Sequence, residues 1–285
     1  MKILVTGAKG QLGSEIIKVL IAKGYDCIGT DIGDFDITDE DASRRFIVGY
    51  YPEIVIHCAG YTQVDNAEEN TELCMNVNYY GTKNIAAICK DLGSKLVYIT
   101  TDYVFDGEKQ MPYDVFDEAN PLNVYGMSKY LGEKVIREQL MKYFIIRVSW
   151  MFGHSQNNFV QKILNLAKIN NKISVINDQV GSPTYSCDVA KLIVEVGFTE
   201  KYGIYHATNE GYCTWAEFAK EIIRQVGLKC EINEVKSYEY SSKAKRPTNS
   251  RLSKKSLTEN GFTLLPTWQN ALNRYLEKEN VRCGN

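Results

Sequence analysis

Apolar positions in the first half of the chain alternate between short unbroken runs and longer stretches in which apolar residues recur every three or four positions. KILVT (2–6) is such a run, and QLGSEIIKVLIAK (11–23) follows with helical spacing until Gly24 stops it. The alternation repeats through YDCIGT (25–30), a helical stretch over 39–50, EIVIHCA (53–59) and a helical stretch over 71–92. KLVYIT (95–100), a helix over 122–141 and YFIIRVS (143–149) complete it. Runs rich in Val, Ile and Leu, each followed by an amphipathic helix, predict a parallel sheet covered on both faces with right-handed crossovers. The expected fold is therefore α/β, a doubly wound, Rossmann-like parallel sheet. After Trp150 the rhythm loosens into helices over 157–169, 187–198 and 214–226, with short strands at 173–176 and 203–207, and predicts a smaller C-terminal lobe. The polar stretch KSYEYSSKAKRPTNSR (236–251) has no apolar periodicity and reads as a surface loop able to close over a ligand.

Charge and composition narrow the function classes. A net charge of -2 over 285 residues leaves no broad basic surface, so nucleic acid is not an expected partner. No stretch holds 18 consecutive apolar residues, and MKILVTGAKG reaches a glycine too soon for a signal peptide. The expectation is a cytoplasmic protein without a membrane partner. The eight cysteines form no C-x-x-C pair and the three histidines lie far apart, so no metal site is expected.

The turn after the first run reads Gly7-Ala8-Lys9-Gly10-Gln11-Leu12-Gly13, a G-x-x-G-x-x-G between a strand and a helix. Glycines there let the backbone approach a pyrophosphate, which sits against the helix amides and the positive end of its dipole. Asp31, about twenty residues on, is placed to accept both ribose hydroxyls of an adenosine and to repel a 2′-phosphate. NADH is the expected cofactor, with NADPH acceptable because Lys9 offsets part of that repulsion. Asp36 and Ile37 follow where an adenine ring would be held. Residues 1–150 thus read as a dinucleotide-binding domain to which later segments can return, and 151–285 mainly as a substrate-binding lobe.

NVYGMSKYLGEK (123–134) puts Tyr125 and Lys129 four apart on one helix face, beyond the strand that ends at Thr100, Thr101, Asp102 and Tyr103. An ammonium close to a phenol favours the phenolate and tunes it for proton transfer. Beside a nicotinamide, Tyr125 would give a proton to a carbonyl oxygen that Thr101 also hydrogen-bonds. The residues alone point to a carbonyl reductase.

The glycine turn with Thr101 and Tyr125-x-x-x-Lys129 resembles the extended short-chain dehydrogenase/reductase superfamily. HCAGYTQVDNAE (57–68), YITTDYVFDG (98–107), NPLNVYGMSKYLGE (120–133), RVSWMFG (147–153), DQVGSPTYSCDVA (178–190) and RPTNSRLS (246–253) together resemble its dTDP-4-dehydrorhamnose reductase branch, over essentially the whole chain. That resemblance implies reduction of a 4-keto nucleotide sugar. It also implies Thr101, Tyr125 and Lys129 as the catalytic set, Asp102, Tyr103 and Trp150 along the sugar, and Ala59, Gly60 and Tyr61 beside NAD(H). Asn78 resembles the family's structural or active-site asparagine, and a homodimer is one candidate assembly. Arg246 and Arg251, in the polar loop, are candidates to grip a diphosphate bidentately.

Two alternatives share the fold: a nucleotide-sugar dehydratase or epimerase, and a non-catalytic cofactor-binding regulatory subunit. Dehydratases of the superfamily resemble T-D-E where this chain has Thr101-Asp102-Tyr103. The missing glutamate argues against elimination, and the intact Thr-Tyr-Lys set favours an enzyme.

Overall fold

The computed structural model describes residues 1–155 and 158–279. Cys283, residue 157 of the expected helix and the end of the expected C-terminal lobe lie outside the described residues. The first half of the chain forms β1 (Lys2–Thr6), α1 (Gln11–Ala22), β2 (Asp26–Thr30), α2 (Glu40–Tyr50), β3 (Ile54–His57), α3 (Val64–Glu69), α4 (Thr71–Met75), α5 (Thr82–Leu92) and β4 (Lys95–Thr101). Next come α6 (Val124–Gln139), β5 (Tyr143–Val148), β6 (Met151–Phe152), α7 (Phe159–Ile169), β7 (Lys172–Ile176), β8 (Val180–Gly181) and β9 (Thr184–Tyr185). The remaining elements are α8 (Ser186–Gly197), β10 (Gly203–His206), β11 (Cys213–Thr214), α9 (Trp215–Val226), β12 (Glu231–Val235), α10 (Lys255–Glu259) and α11 (Trp268–Lys278).

Six strands form one sheet in the order β10-β5-β4-β3-β1-β2, with every pairing parallel. The predicted doubly wound α/β fold is the one observed. Strand order reverses at β1, whose neighbours are β2 on one side and β3 on the other, so a crevice opens above the carboxyl ends of β1 and β3. Alternate strand residues feed opposite cores: Ile3 and Val5 join Ile16, Leu20 and Ile193 on one face, while Leu4 and Val55 join Ile85, Ile136 and Ile145 on the other. Each such side chain contributes roughly 1.5–3 kcal/mol on burial. A third core gathers Phe152, Ile163, Phe218, Ile222, Trp268 and Leu272 from β6, α7, α9 and α11.

The helical stretch expected over 71–92 is interrupted. Between α4 and α5 the chain makes a π-helical turn at Asn76–Gly81, and α3 precedes it at Val64–Glu69. A π turn inserts one residue into the helical count and so rotates the faces of the next helix. Apolar spacing does not reveal it, yet it coincides with Asn78 being buried inside the fold. The run at 203–207 becomes β10, which extends the main sheet by pairing with β5 from Gly203↔Phe144 to His206↔Arg147.

One buried ion pair ties α6 to the sheet. Arg147 on β5 donates from Nε and Nη2 to the two carboxylate oxygens of Glu133, at 3.1 and 2.7 Å, and both side chains are almost wholly buried. Removing one partner strands the other charge in the interior. Arg147→Met is expected to cost about 3–5 kcal/mol, read as a lowered urea midpoint, and a double Glu133→Leu/Arg147→Met variant to recover most of it.

Candidate active site

The crevice at the β1/β3 switch point is a cleft of about 770 Å³. Its floor at one end is the glycine turn. Gly7 leaves β1 with φ +65°, and a Cβ on it would lie 2.6 Å from the Ala59 nitrogen; a Cβ on Gly13 would lie 2.2 Å from Gly7 O. Only glycine fits either position. Helix α1 starts at Gln11 without a side-chain cap and without an acidic residue in its first turn. Its amides are therefore available to a pyrophosphate. Asp31 ends the turn's far wall, its Oδ2 accepting from Lys9 N and its Oδ1 from Ile32 N, each at 3.0 Å. Together with Asp36, Ile37 and Phe35 along the wall, this cradle fits a nicotinamide dinucleotide.

At the other end stand the residues after β4 and on α6. Helix α6 is capped by Asn123, whose side chain accepts from Gly126 N at 2.8 Å. That start places Tyr125 and Lys129 in the cleft wall beside Thr101 and Asp102. The Thr101 hydroxyl donates to Asp102 Oδ1 at 3.0 Å. Burial pushes the Tyr125 phenol well above its ordinary range, opposed in part by its hydrogen bond with Thr101. Burial also pushes Lys129 down to about 7, against the pull of nearby Glu133. The expected pull of the Lys129 ammonium toward the phenolate is not what acts on Tyr125 here: desolvation raises the phenol, the nearby charge of Asp102 adds to the rise, and Tyr125 is held as the neutral acid. Burial raises Asp102 to about 6, opposed in part by the nearby hydroxyls of Ser250, Thr101 and Ser149, and among the described residues no group meets its Oδ2 in hydrogen-bonding geometry.

Gly7, Gly10, Gln11, Leu12, Gly13, Asp31, Asp36, Ile37, Ala59, Gly60, Thr101, Asp102, Tyr125, Lys129 and Trp150 all line this single cleft. Trp150 does so from a left-handed backbone, φ +46°, which costs a bulky residue about 1–3 kcal/mol. Tyr61, Tyr103, Arg246 and Arg251 do not line it. The backbone of Tyr61 is held by Asn78, which accepts from its N–H at 2.8 Å and donates to its carbonyl at 3.0 Å. Tyr103 stands edge-on to Tyr125, with centroids 6.0 Å apart. Arg246 donates from both terminal nitrogens to the Asp65 carboxylate, at 3.0 and 2.8 Å. Arg251 bonds to Asn249 Oδ1 at 2.8 Å and to the carbonyl of Gln110.

A buried relay that the sequence did not announce joins the two ends. Ala59 N donates to Thr6 Oγ1 at 3.3 Å, and Thr6 Oγ1 lies 2.7 Å from His57 Nδ1, which accepts its proton because Thr82 gives its own to Asn78 O and so leaves the His57 proton on Nε2. His57 Nε2–H then donates to Thr82 Oγ1 at 3.2 Å, and Thr82 donates to Asn78 O at 2.7 Å. Burial, with the Lys129 charge adding to it, lowers His57 to about 3 and keeps it neutral in this chain of bonds. Asn78 Nδ2 also donates to Ser128 Oγ on α6 at 2.9 Å. A histidine at the end of a Val/Ile strand run was the available signal.

The fold and this site define a nicotinamide-dependent enzyme of the extended short-chain dehydrogenase/reductase class. The family model described as RmlD substrate binding domain matches residues 1–281, and the chain belongs to that family. It is 38% identical to the spore coat polysaccharide biosynthesis protein SpsK of Bacillus subtilis, over 99% of both chains. The crystal structure of a dTDP-4-dehydrorhamnose reductase from Clostridium acetobutylicum superposes with a TM-score of 0.96 at 40% identity, covering 98% of this chain and 100% of that one. That of a dTDP-4-dehydrorhamnose reductase from Bacillus anthracis in complex with NADP gives 0.95 at 40%, covering 97% and 99%.

Because Lys129 holds its proton less tightly folded than unfolded, the unfolded chain binds more protons between pH 7 and the ordinary lysine value, and stability rises with pH across that window. Lys129→Met removes this penalty. Its melting temperature should exceed that of the wild type below pH 7, with the gap closing toward pH of about 10; a pH-independent difference would contradict the buried, weakened ammonium.

Proposed function

We propose that the chain reduces the 4-keto group of dTDP-4-dehydro-L-rhamnose to give dTDP-L-rhamnose, using NADPH or NADH. The observation that carries this is the meeting of Thr101, Tyr125 and Lys129 in the cleft that the glycine turn opens. A nicotinamide cofactor held by the glycine turn and the Asp31 wall would supply the hydride. Tyr125, kept protonated by burial, delivers the proton to the keto oxygen, and Thr101 hydrogen-bonds that oxygen once its hydroxyl turns from Asp102 Oδ1. Lys129, one turn along α6 and close to half-charged at neutral pH, can return a proton to the phenol. Asp102 accepts from a sugar hydroxyl, and Trp150 offers the sugar an apolar surface.

Asp31 is already engaged by two backbone amides and has Lys9 next to it, which supports tolerance of a 2′-phosphate as well as of a free ribose. In this reading residues 1–150 mainly hold the cofactor and 151–285 mainly the sugar nucleotide, in a cytoplasmic protein. Arg246 reaches the substrate only by sharing its guanidinium with Asp65, and Arg251 and Tyr103 act from behind the cleft wall.

NADPH oxidation followed by absorbance, with the keto sugar generated in situ, tests the reading. Wild-type turnover that falls by about a hundredfold or more in Tyr125→Phe is the expected result; equal rates would remove Tyr125 as the acid. Arg246→Ala should raise KM for the sugar nucleotide while leaving that for NADPH in place, and an unchanged pair of constants would take Arg246 out of the substrate site.

A further inference from the structure

Trp150 keeps its left-handed backbone against a partner that lies outside the cleft. Its indole is parallel to that of Trp215, with ring centroids 3.5 Å and planes 10° apart. Trp215 opens α9, whose buried face is sunk in the third core. It is fixed in turn: its Nε1 donates to Gln179 Oε1 at 3.2 Å, and the Phe159 ring packs on it at 4.5 Å. Gly181 closes on the Trp150 ring so tightly that a Cβ there would lie 2.6 Å from Cε2. Trp215 itself lines no part of the cleft.

We propose that Trp215 is a positioning residue for the sugar, acting through Trp150. The proposal rests on the nucleotide-sugar reading above. A bulky residue at positive φ holds that conformation only where its surroundings over-determine it. The stacked indole and Gly181 are those surroundings, and they settle which surface of Trp150 faces the cleft. Without the stack the Trp150 ring shifts, and the apolar surface offered to the sugar shifts with it. The glycine turn at the far end of the cleft draws on none of these contacts.

The test compares the full chain with Trp215→Leu and, as the variant that keeps an aromatic in place, Trp215→Phe. The exciton-coupled circular dichroism of the stacked indoles should vanish in both. Sugar KM should rise by about tenfold in Trp215→Leu, the scale of one lost aromatic contact, and by less in Trp215→Phe. The NADPH dissociation constant from fluorescence titration and the melting temperature of Trp215→Phe should stay with the wild type. Gly181→Ala, which presses on the same ring, should raise sugar KM in the same way. A sugar KM that does not move in either Trp215 variant overturns the proposal, as does one that rises only together with the NADPH dissociation constant. Absence of wild-type turnover on this sugar would instead overturn the functional reading, and this inference with it.

Discussion

The site depends on one close approach of backbone to backbone. The end of β1, the start of α1 and the end of β3 meet at Gly7, Gly13 and Ala59 with no room for a side chain between them. That contact keeps the crevice open at the switch point and leaves the first amides of α1 uncapped. The relay from Thr6 through His57 and Thr82 to Asn78 carries the same constraint inward, and Asn78 passes it to Ser128 on the helix of Tyr125 and Lys129. Thr82 spends its one proton on Asn78 O and must accept from His57 Nε2, which fixes the histidine in one tautomer. Directed hydrogen bonds thus link the cofactor floor to the helix of the proton donor, alongside the apolar packing of Val135 and Ile136 of that helix against the sheet.

Electrostatics at the other end follow from burial more than from charge pairing. Tyr125 and Lys129 both line the cleft, and burial drives both toward their neutral forms. Lys129 lies over the Tyr98 ring, 4.1 Å from its centroid, which recovers part of the cost of its charge. Glu133 adds to that recovery, but its own charge is already matched by Arg147. A lysine left poised near neutrality can exchange protons readily, whereas a fully paired one would hold them.

Features that depend on local spacing could be read from the chain. The parallel sheet followed from alternating runs, the glycine turn from its place between a strand and a helix, and the Tyr125–Lys129 pair from the four-residue repeat of a helix. Three features depended on distant residues and were not legible. The π turn before α5 changes the count that periodicity relies on. Arg246 finds its carboxylate at Asp65, 181 positions away, so a charge that looked free in a polar loop is already satisfied. The titration of Tyr125 was not legible because helical spacing suggests a neighbouring cation but does not show the burial that raises the phenol.

The residue after Asp102 separates this chemistry from its relatives on the same fold. Expelling water across a sugar ring calls for an acid and a base acting together beside the Thr–Tyr pair. Here the next position is Tyr103, edge-on to Tyr125 and close enough to Arg246 for that cation to oppose the rise in its pKa. Burial puts its phenol further out of reach as a base than an ordinary tyrosine. Among the described residues that line this end of the cleft, Asp102 is then the sole carboxylate, and burial raises it to about 6. One such group can accept a hydroxyl hydrogen bond and orient a sugar, but it has no second carboxylate beside it of the kind that elimination across the ring would call for, and the proton transfer left to Tyr125 and Lys129 is that of a carbonyl reduction.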